Sequence, residues 1–172
     1  MNDYFPDIPA PIAYEGATSD NPLAFKYYQP DRVVAGKPMK EHLRFAVAYW
    51  HSFQGTGRDI FGADVYQRPW NRHSDPMDRA RAMMAAVFEF CTKMGIDYYC
   101  FHDRDMAPEG AGLKESNRNL QALVDDARGF QKNTGVRLLW GTANLFGHPR
   151  YTHGAATNPD AHVFAYAAAQ VK

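Results

Sequence analysis

Cysteine is scarce, with two residues, Cys91 and Cys100, in a chain of 172. That excludes a disulfide framework and a cysteine-built metal knot, and it fits a reducing, cytoplasmic setting. Charge of one sign is also lacking: 19 Lys and Arg balance 19 Asp and Glu. No global field therefore draws the chain to nucleic acid or to an anionic membrane. No uncharged apolar run approaches the roughly 20 residues of a membrane span. The start, MNDYFPDIPAPIAYEG, is acidic and broken by proline, unlike a signal peptide. The glycine-rich segment around Gly55 and Gly57 lacks both a GK[ST] ending and GxGxxG spacing, so a phosphate cradle has little support there. Core-forming residues are not lacking. The chain is 45% hydrophobic and 14% aromatic, which suits one folded domain with a sizeable core.

Residues 1–40 carry six prolines, with Gly16 and Gly36 between them. They predict an extended arm with short turns, anchored in cis by Tyr4, Phe5, Tyr14, Phe25, Tyr27 and Tyr28. Packing of those aromatics on a neighbouring subunit is the alternative. Arg44–Trp50, RFAVAYW, is the first strand-like run. Trp50, Phe53 and Phe61 around the following glycine-rich loop are expected to wall a pocket. Asp75 then serves as a helix N-cap with Pro76 at the first helical position, and Gly95 is placed to end the helix. Between them Ala80, Met83, Met84, Val87, Phe88, Cys91 and Met94 form one apolar stripe, expected to be core. A second amphipathic helix is expected from about Ser116 to Asn133, with Leu120, Leu123, Val124, Ala127 and Phe130 inward. A strand follows at Val136–Trp140, and Asn158-Pro159-Asp160 starts a third helix. His148, Arg150 and His153 share the last loop, where metal or anion binding has only weak support.

The stretch around which the rest is arranged is Ile96–Asp105, IDYYCFHDRD. An apolar, aromatic run suited to a buried strand ends in a charged cluster. His102 and Asp105 lie three positions apart on a sharp exit, so both side chains can turn toward one cavity. A carboxylate beside an imidazole fixes its tautomer and suits it to proton handling or hydroxyl binding. A solvated loop after a strand accounts for the same residues equally well.

Strand, loop and helix recur three times, which predicts βαβ units and a parallel sheet. Polar clusters follow all three strands, as they would at the carboxyl face of a (β/α)₈ barrel. Such a barrel needs eight strands and typically about 250 residues. The expected fold class is therefore α/β, a partial (β/α)₈ TIM barrel of three βα units preceded by an irregular amino-terminal arm. The arm is assigned to 1–43 and the barrel part to 44–172, ending inside the helix after the third strand.

The blocks YEG with NPLAFKYYQP, HLRFAVAYWH, GRDIFG, QRPW, FHDRD, APEGAGLKE, LLWGTANLF and HPRYTHGAATNPD together resemble the amino-terminal part of xylose isomerase, in its larger, arm-bearing class. The resemblance runs from about Tyr4 to the last residue. It implies an aldose–ketose isomerase, D-xylose to D-xylulose and D-glucose to D-fructose, working by ring opening and a hydride shift. It also implies a homotetramer and two divalent cations per active site, Mg²⁺, Mn²⁺ or Co²⁺, that polarise the substrate oxygens. In that likeness His102 matches the histidine that binds the sugar ring oxygen and assists ring opening, and Asp105 the aspartate that orients it. Trp50 and Phe146 match apolar walls of the sugar site, and Thr142 a threonine beside the sugar. Phe61 matches the phenylalanine that reaches into a neighbouring subunit's site. Asp103 and Arg104 are expected to be structural.

The family's metal ligands and catalytic lysine come from later strands and are not transferred to His148, His153 or Asp160. The isolated chain is thus expected to carry the sugar-binding side of the site and no metal ligands, and to be inactive unless the missing carboxyl-terminal part accompanies it. Two other readings stay open. One is a stand-alone fragment that only assembles or binds sugar weakly. The other is a different metal-dependent barrel enzyme, an epimerase or sugar-phosphate lyase, although the strand-end loops hold no basic cluster suited to phosphate.

Overall fold

The computed structural model describes residues 3–9 and 11–172. The arm's expected course at positions 1, 2 and 10 lies outside them. Three parallel strands form the central sheet, in the order β3 (Ala46–Ala48), β4 (Tyr98–His102), β5 (Arg137–Thr142). Helix α2 (Pro76–Met94) joins β3 to β4, and α4 (Leu113–Thr134) joins β4 to β5. Both crossovers pack on each other and cover one sheet face. The structure is therefore mixed α/β with a parallel three-stranded sheet, as the strand and helix alternation predicts.

The ends of α2 obey local chemistry. The Asp75 carboxylate accepts from Asp78 N–H at 2.9 Å and Pro76 opens the helix. Gly95 takes the left-handed conformation at φ +64°, and the N–H groups of Gly95 and Ile96 return to Thr92 and Cys91. That is the two-bond termination glycine makes possible. The expected stripe is buried as far as Cys91, and Met94 is half-buried. Val47, Tyr99 and Phe101 meet this stripe from the sheet and Tyr49 from just beyond β3, with Leu123 and Ala127 of α4 completing the core. Burial pushes the Cys91 thiol up to about 12. Tyr49 is fully buried, and its hydroxyl has no hydrogen-bond partner among the described residues; burial also holds it well above the ordinary tyrosine range.

Several expectations are corrected. The first strand stops at Ala48, not Trp50, because Tyr49 adopts helical angles and Trp50–Gln54 forms a π-helical turn. That turn sends Tyr49 into the core while Trp50 reaches the other side of the sheet. Helix α4 starts at Leu113, three residues before Ser116. Ser116 is buried within it, and its hydroxyl accepts from Gly110 N–H and donates to the Gly112 carbonyl. The third strand runs two residues past Trp140. The charged cluster after β4 is not a solvated loop, since Asp103–Met106 form a short helix, α3.

The arm is not simply extended. Val33–Val34 (β1) and Lys37–Pro38 (β2) form a hairpin whose turn residues, Ala35 and Gly36, both have positive φ. That geometry matches strand twist, but alanine gives no sign of it in sequence. A four-residue helix, α1 (Met39–His42), follows. Tyr4 and Phe5 pack in cis, edge-on to Trp70 and Phe90. Their backbone N–H groups donate to Glu89, each at 2.9 Å, and Lys93 donates to the Phe5 carbonyl. Tyr27, expected among the anchors, is 88% exposed and so not packed into the described residues.

These contacts predict two opposite mutational outcomes. Met84→Ala, at a fully buried position, is expected to cost about 2–5 kcal/mol. Tyr49→Phe removes an unpaired buried hydroxyl and is expected to leave stability unchanged or raise it by up to about 1 kcal/mol. Urea unfolding monitored by circular dichroism measures both. A large loss for Tyr49→Phe would show that its hydroxyl has a partner.

Candidate functional site

The register of the sheet decides which side chains meet at its carboxyl end. Cys100 lies beside Trp140, Phe101 beside Gly141, and His102 beside Thr142. An irregularity after Tyr99 skips Leu139 and sets this alignment. Alternation then sends Tyr99 and Phe101 to the helix-covered face and His102, Thr142 and Trp140 to the other. The backbone of Gly141 passes close to Phe101: a Cβ there would lie 3.2 Å from the ring, which would have to give by a few tenths of an ångström.

His102 is the last residue of β4 and Asp103 the first of α3. One helical turn therefore returns the Asp105 carboxylate to His102. Asp105 Oδ2 accepts from the His102 backbone N–H at 3.0 Å and from Nδ1 at 2.6 Å. A carboxylate can only accept, so Nδ1 carries a proton, and the neutral imidazole then has its lone pair at Nε2. Both side chains are largely buried, at 15% and 9% exposure. The Gln54 carboxamide donates to the Asp105 carbonyl at 2.7 Å and ties the π-helical turn to the same exit.

Aromatic rings surround the imidazole. Trp50 lies 4.5 Å from it, Phe146 5.2 Å and nearly perpendicular, and Trp140 6.0 Å. The two indoles are 5.5 Å apart. Each such ring contact is worth about 0.5–1.5 kcal/mol beyond burial. Trp140 and Phe146 remain substantially exposed, so the cage opens to solvent. It combines flat apolar walls with one imidazole nitrogen free to bond, a composition suited to a ligand with C–H faces and hydroxyl edges.

The structure thus brings together His102, Asp105, Trp50, Phe146 and, by register, Thr142. It does not bring Phe61 to them. Phe61 is 91% exposed on a loop whose base is tied by Thr56 to Asp64, Val65 and Tyr66. Phe53 is buried against Trp70 and Phe90, so Trp50, Phe53 and Phe61 do not wall one pocket. In the last loop His148 Nδ1 is engaged, accepting from Arg150 N–H, and Arg150 pairs with Glu109 at 2.8 Å. Among the described residues no group of three or more His, Cys, Asp and Glu side chains is placed to hold a metal ion. The donor set present therefore does not fit a pair of divalent cations.

Sequence reasoning missed Trp140, which two-residue alternation from Thr142 would have placed on the same face. It also missed Gln54, Asn144 and Gln170, for which no local pattern exists. Asp103 is buried; Oδ1 accepts from Arg104 N–H and Asn144 N–H, and Oδ2 from Gln170.

Asp105→Ala is expected to release the imidazole from a single tautomer and to cost about 1.5–3 kcal/mol, the range for hydrogen bonds to a charged group. Nitrogen-15 shifts of His102 report the tautomer directly. An unchanged Nδ1-protonated form in the variant would show that Asp105 does not set it.

No family model matches the sequence. Individual proteins do. The chain is 59% identical over 170 residues to a xylose isomerase of Caldanaerobacter subterraneus subsp. yonseiensis, covering 99% of this chain and 39% of that protein. It is 59% identical over 172 residues to the xylose isomerase of Thermotoga petrophila and 58% to that of Thermotoga maritima, in each case over 100% of this chain and 38% of the relative. The chain spans less than two-fifths of the length of these relatives. The likeness first read from its sequence blocks is thereby shown: over essentially its whole length, the chain is similar to the amino-terminal part of xylose isomerases.

Proposed function

We propose that this chain is the sugar-binding side of a metal-dependent aldose–ketose isomerase acting on D-xylose, and also on D-glucose. The observation that carries the reading is the His102–Asp105 pair, 2.6 Å apart inside an aromatic cage at the strand ends, in a chain 59% identical to xylose isomerases. Nε2 of His102 is the atom that would meet the sugar ring oxygen. Held by Asp105, the imidazole can take the proton of the sugar's C1 hydroxyl at Nε2 and deliver it to the ring oxygen as the bond from C1 to that oxygen breaks and the C1 carbonyl forms, and the neighbouring carboxylate stabilises the imidazolium that forms meanwhile. Trp50 and Phe146 would stack on the sugar's C–H faces, Thr142 would bond a hydroxyl, and the aromatic walls would exclude water from the opened sugar.

The same reading makes β3, β4 and β5 the first strands of a (β/α)₈ barrel, with residues 1–43 as its arm and 44–172 as its first part. All six residues of β5 are exposed, which supports a further strand on its free edge. The cations, Mg²⁺ or Mn²⁺ or Co²⁺, would be held by residues outside this chain. A homotetramer would give Phe61 its role, as a residue offered to a neighbouring subunit. The protein would work in the cytoplasm; no helix among the described residues is long and apolar enough to cross a membrane.

A second reading, a catalytically inactive fragment that assembles or binds sugar weakly, is supported by the exposed edge and apolar side chains of β5. One assay separates the two. The 172-residue chain alone, with D-xylose and Mg²⁺, is expected to form no ketose. Addition of a polypeptide covering the remaining length of a relative is expected to restore it, and His102→Gln in that mixture to lower the rate by about 10²–10⁴-fold. Ketose formation by the chain alone would overturn the division of the site; full activity of His102→Gln would overturn the role of the imidazole.

A further inference from the structure

We propose that Gln170, near the end of helix α5 (Ala161–Val171), is a positioning residue for the sugar face. Through Asp103 and Asn144 it holds Phe146 against His102. The proposal rests on the reading of this face as sugar-binding, but the geometry it concerns exists without sugar.

Helix α5 has little apolar anchorage, with Ala167 its buried residue. Gln170 nonetheless has both ends of its carboxamide engaged. Its Nε2 donates to Asp103 Oδ2 at 2.8 Å and to the Asn144 carbonyl at 3.1 Å, and its Oε1 accepts from the Tyr151 hydroxyl at 2.7 Å. Asp103 Oδ1 in turn accepts from Asn144 N–H at 2.7 Å. The backbone of Asn144 is therefore gripped on both sides, at its N–H by Asp103 and at its carbonyl by Gln170.

Asn144 passes this order forward. Its side-chain oxygen accepts from Gly147 N–H at 2.7 Å and from Phe146 N–H at 3.2 Å, a turn that fixes the Phe146 backbone. The Phe146 ring, 67% exposed, has little packing to hold it, yet stands perpendicular to the imidazole at 5.2 Å. The backbone grip, not ring burial, has to supply the placement. Glutamine suits the position because two acceptors face its nitrogen and one donor faces its oxygen. A glutamate would set a carboxylate oxygen against Asp103, and a leucine would remove the hydrogen bonds to Asp103 Oδ2 and from the Tyr151 hydroxyl, leaving Oδ2 the Arg104 guanidinium at 3.8 Å.

The test is nuclear magnetic resonance of the 172-residue chain without sugar, following the cross-peak between the Phe146 and His102 rings and, as a core reference, the Met84 methyl signal. In Gln170→Glu and Gln170→Leu the ring cross-peak is expected to be lost while the Met84 signal keeps its position. Retention of the cross-peak in either variant overturns the proposal. If both variants lose the core signal, Tyr151→Phe decides, since it removes the bond to Oε1 and leaves Gln170 in place: a weakened cross-peak supports the proposal and an unchanged one overturns it. Sugar binding measured on the unaltered chain judges the sugar reading separately, because no part of the ring cross-peak depends on it.

Discussion

The absence of a loop between β4 and α3 is the constraint on which the site depends. His102 ends the strand and Asp103 begins the helix, so the chain turns within one peptide. A helix start leaves N–H groups without partners. Asp105, one turn on, reaches back to satisfy the His102 N–H, as the acidic member of a capping box does. The same carboxylate oxygen takes the imidazole proton. One carboxylate thus closes the helix and orients the histidine. The orientation needs no separate residue, and any ligand meets an imidazole already fixed in tautomer and direction.

The aromatic walls are held differently. Trp50 is placed by a π-helical turn that Gln54 ties to the Asp105 carbonyl. Trp140 is placed by the register that skips Leu139. Phe146 is placed by the hydrogen-bonded turn at Asn144. Ring contacts of about 0.5–1.5 kcal/mol each are too weak to order exposed side chains alone against a side-chain entropy cost of similar size. Backbone pinning decides the geometry here, and the rings fill the space it defines.

Legibility followed the range of the interactions. The ends of α2 could be read because Asp75, Pro76 and Gly95 act on their own neighbours. The His102–Asp105 pair could be read for the same reason, as a three-residue spacing. The turn at Ala35-Gly36 escaped because alanine rarely adopts positive φ. The shortening of β3 escaped because RFAVAYW is equally good strand chemistry through Trp50, and only the helical angles of Tyr49 end it. Glu89 and Lys93, which hold the arm from 84 to 90 positions away, look in sequence like an ordinary pair on a helix surface. Gln170, 67 positions from Asp103, shows nothing until α5 is docked.

The two faces of the sheet carry different demands. Helices α2 and α4 bury Tyr99 and Phe101 on one face, which secures the strands. Neither α2 nor α4 covers the face of His102, Trp140 and Thr142, where Trp50 of the π-helical turn stands. Parallel sheets ordinarily have both faces covered, so the open face bears the cost of exposing Trp140 and its neighbours on β5. That cost falls where chemistry needs access. An imidazole lined by indole and phenyl rings can pair flat C–H surfaces with the rings and a single oxygen with Nε2. A residue on the helix-covered face could not do this, because packing there leaves no room for a ligand. The sheet's polarity, set by two crossovers of the same kind, is what separates the stabilising face from the reactive one.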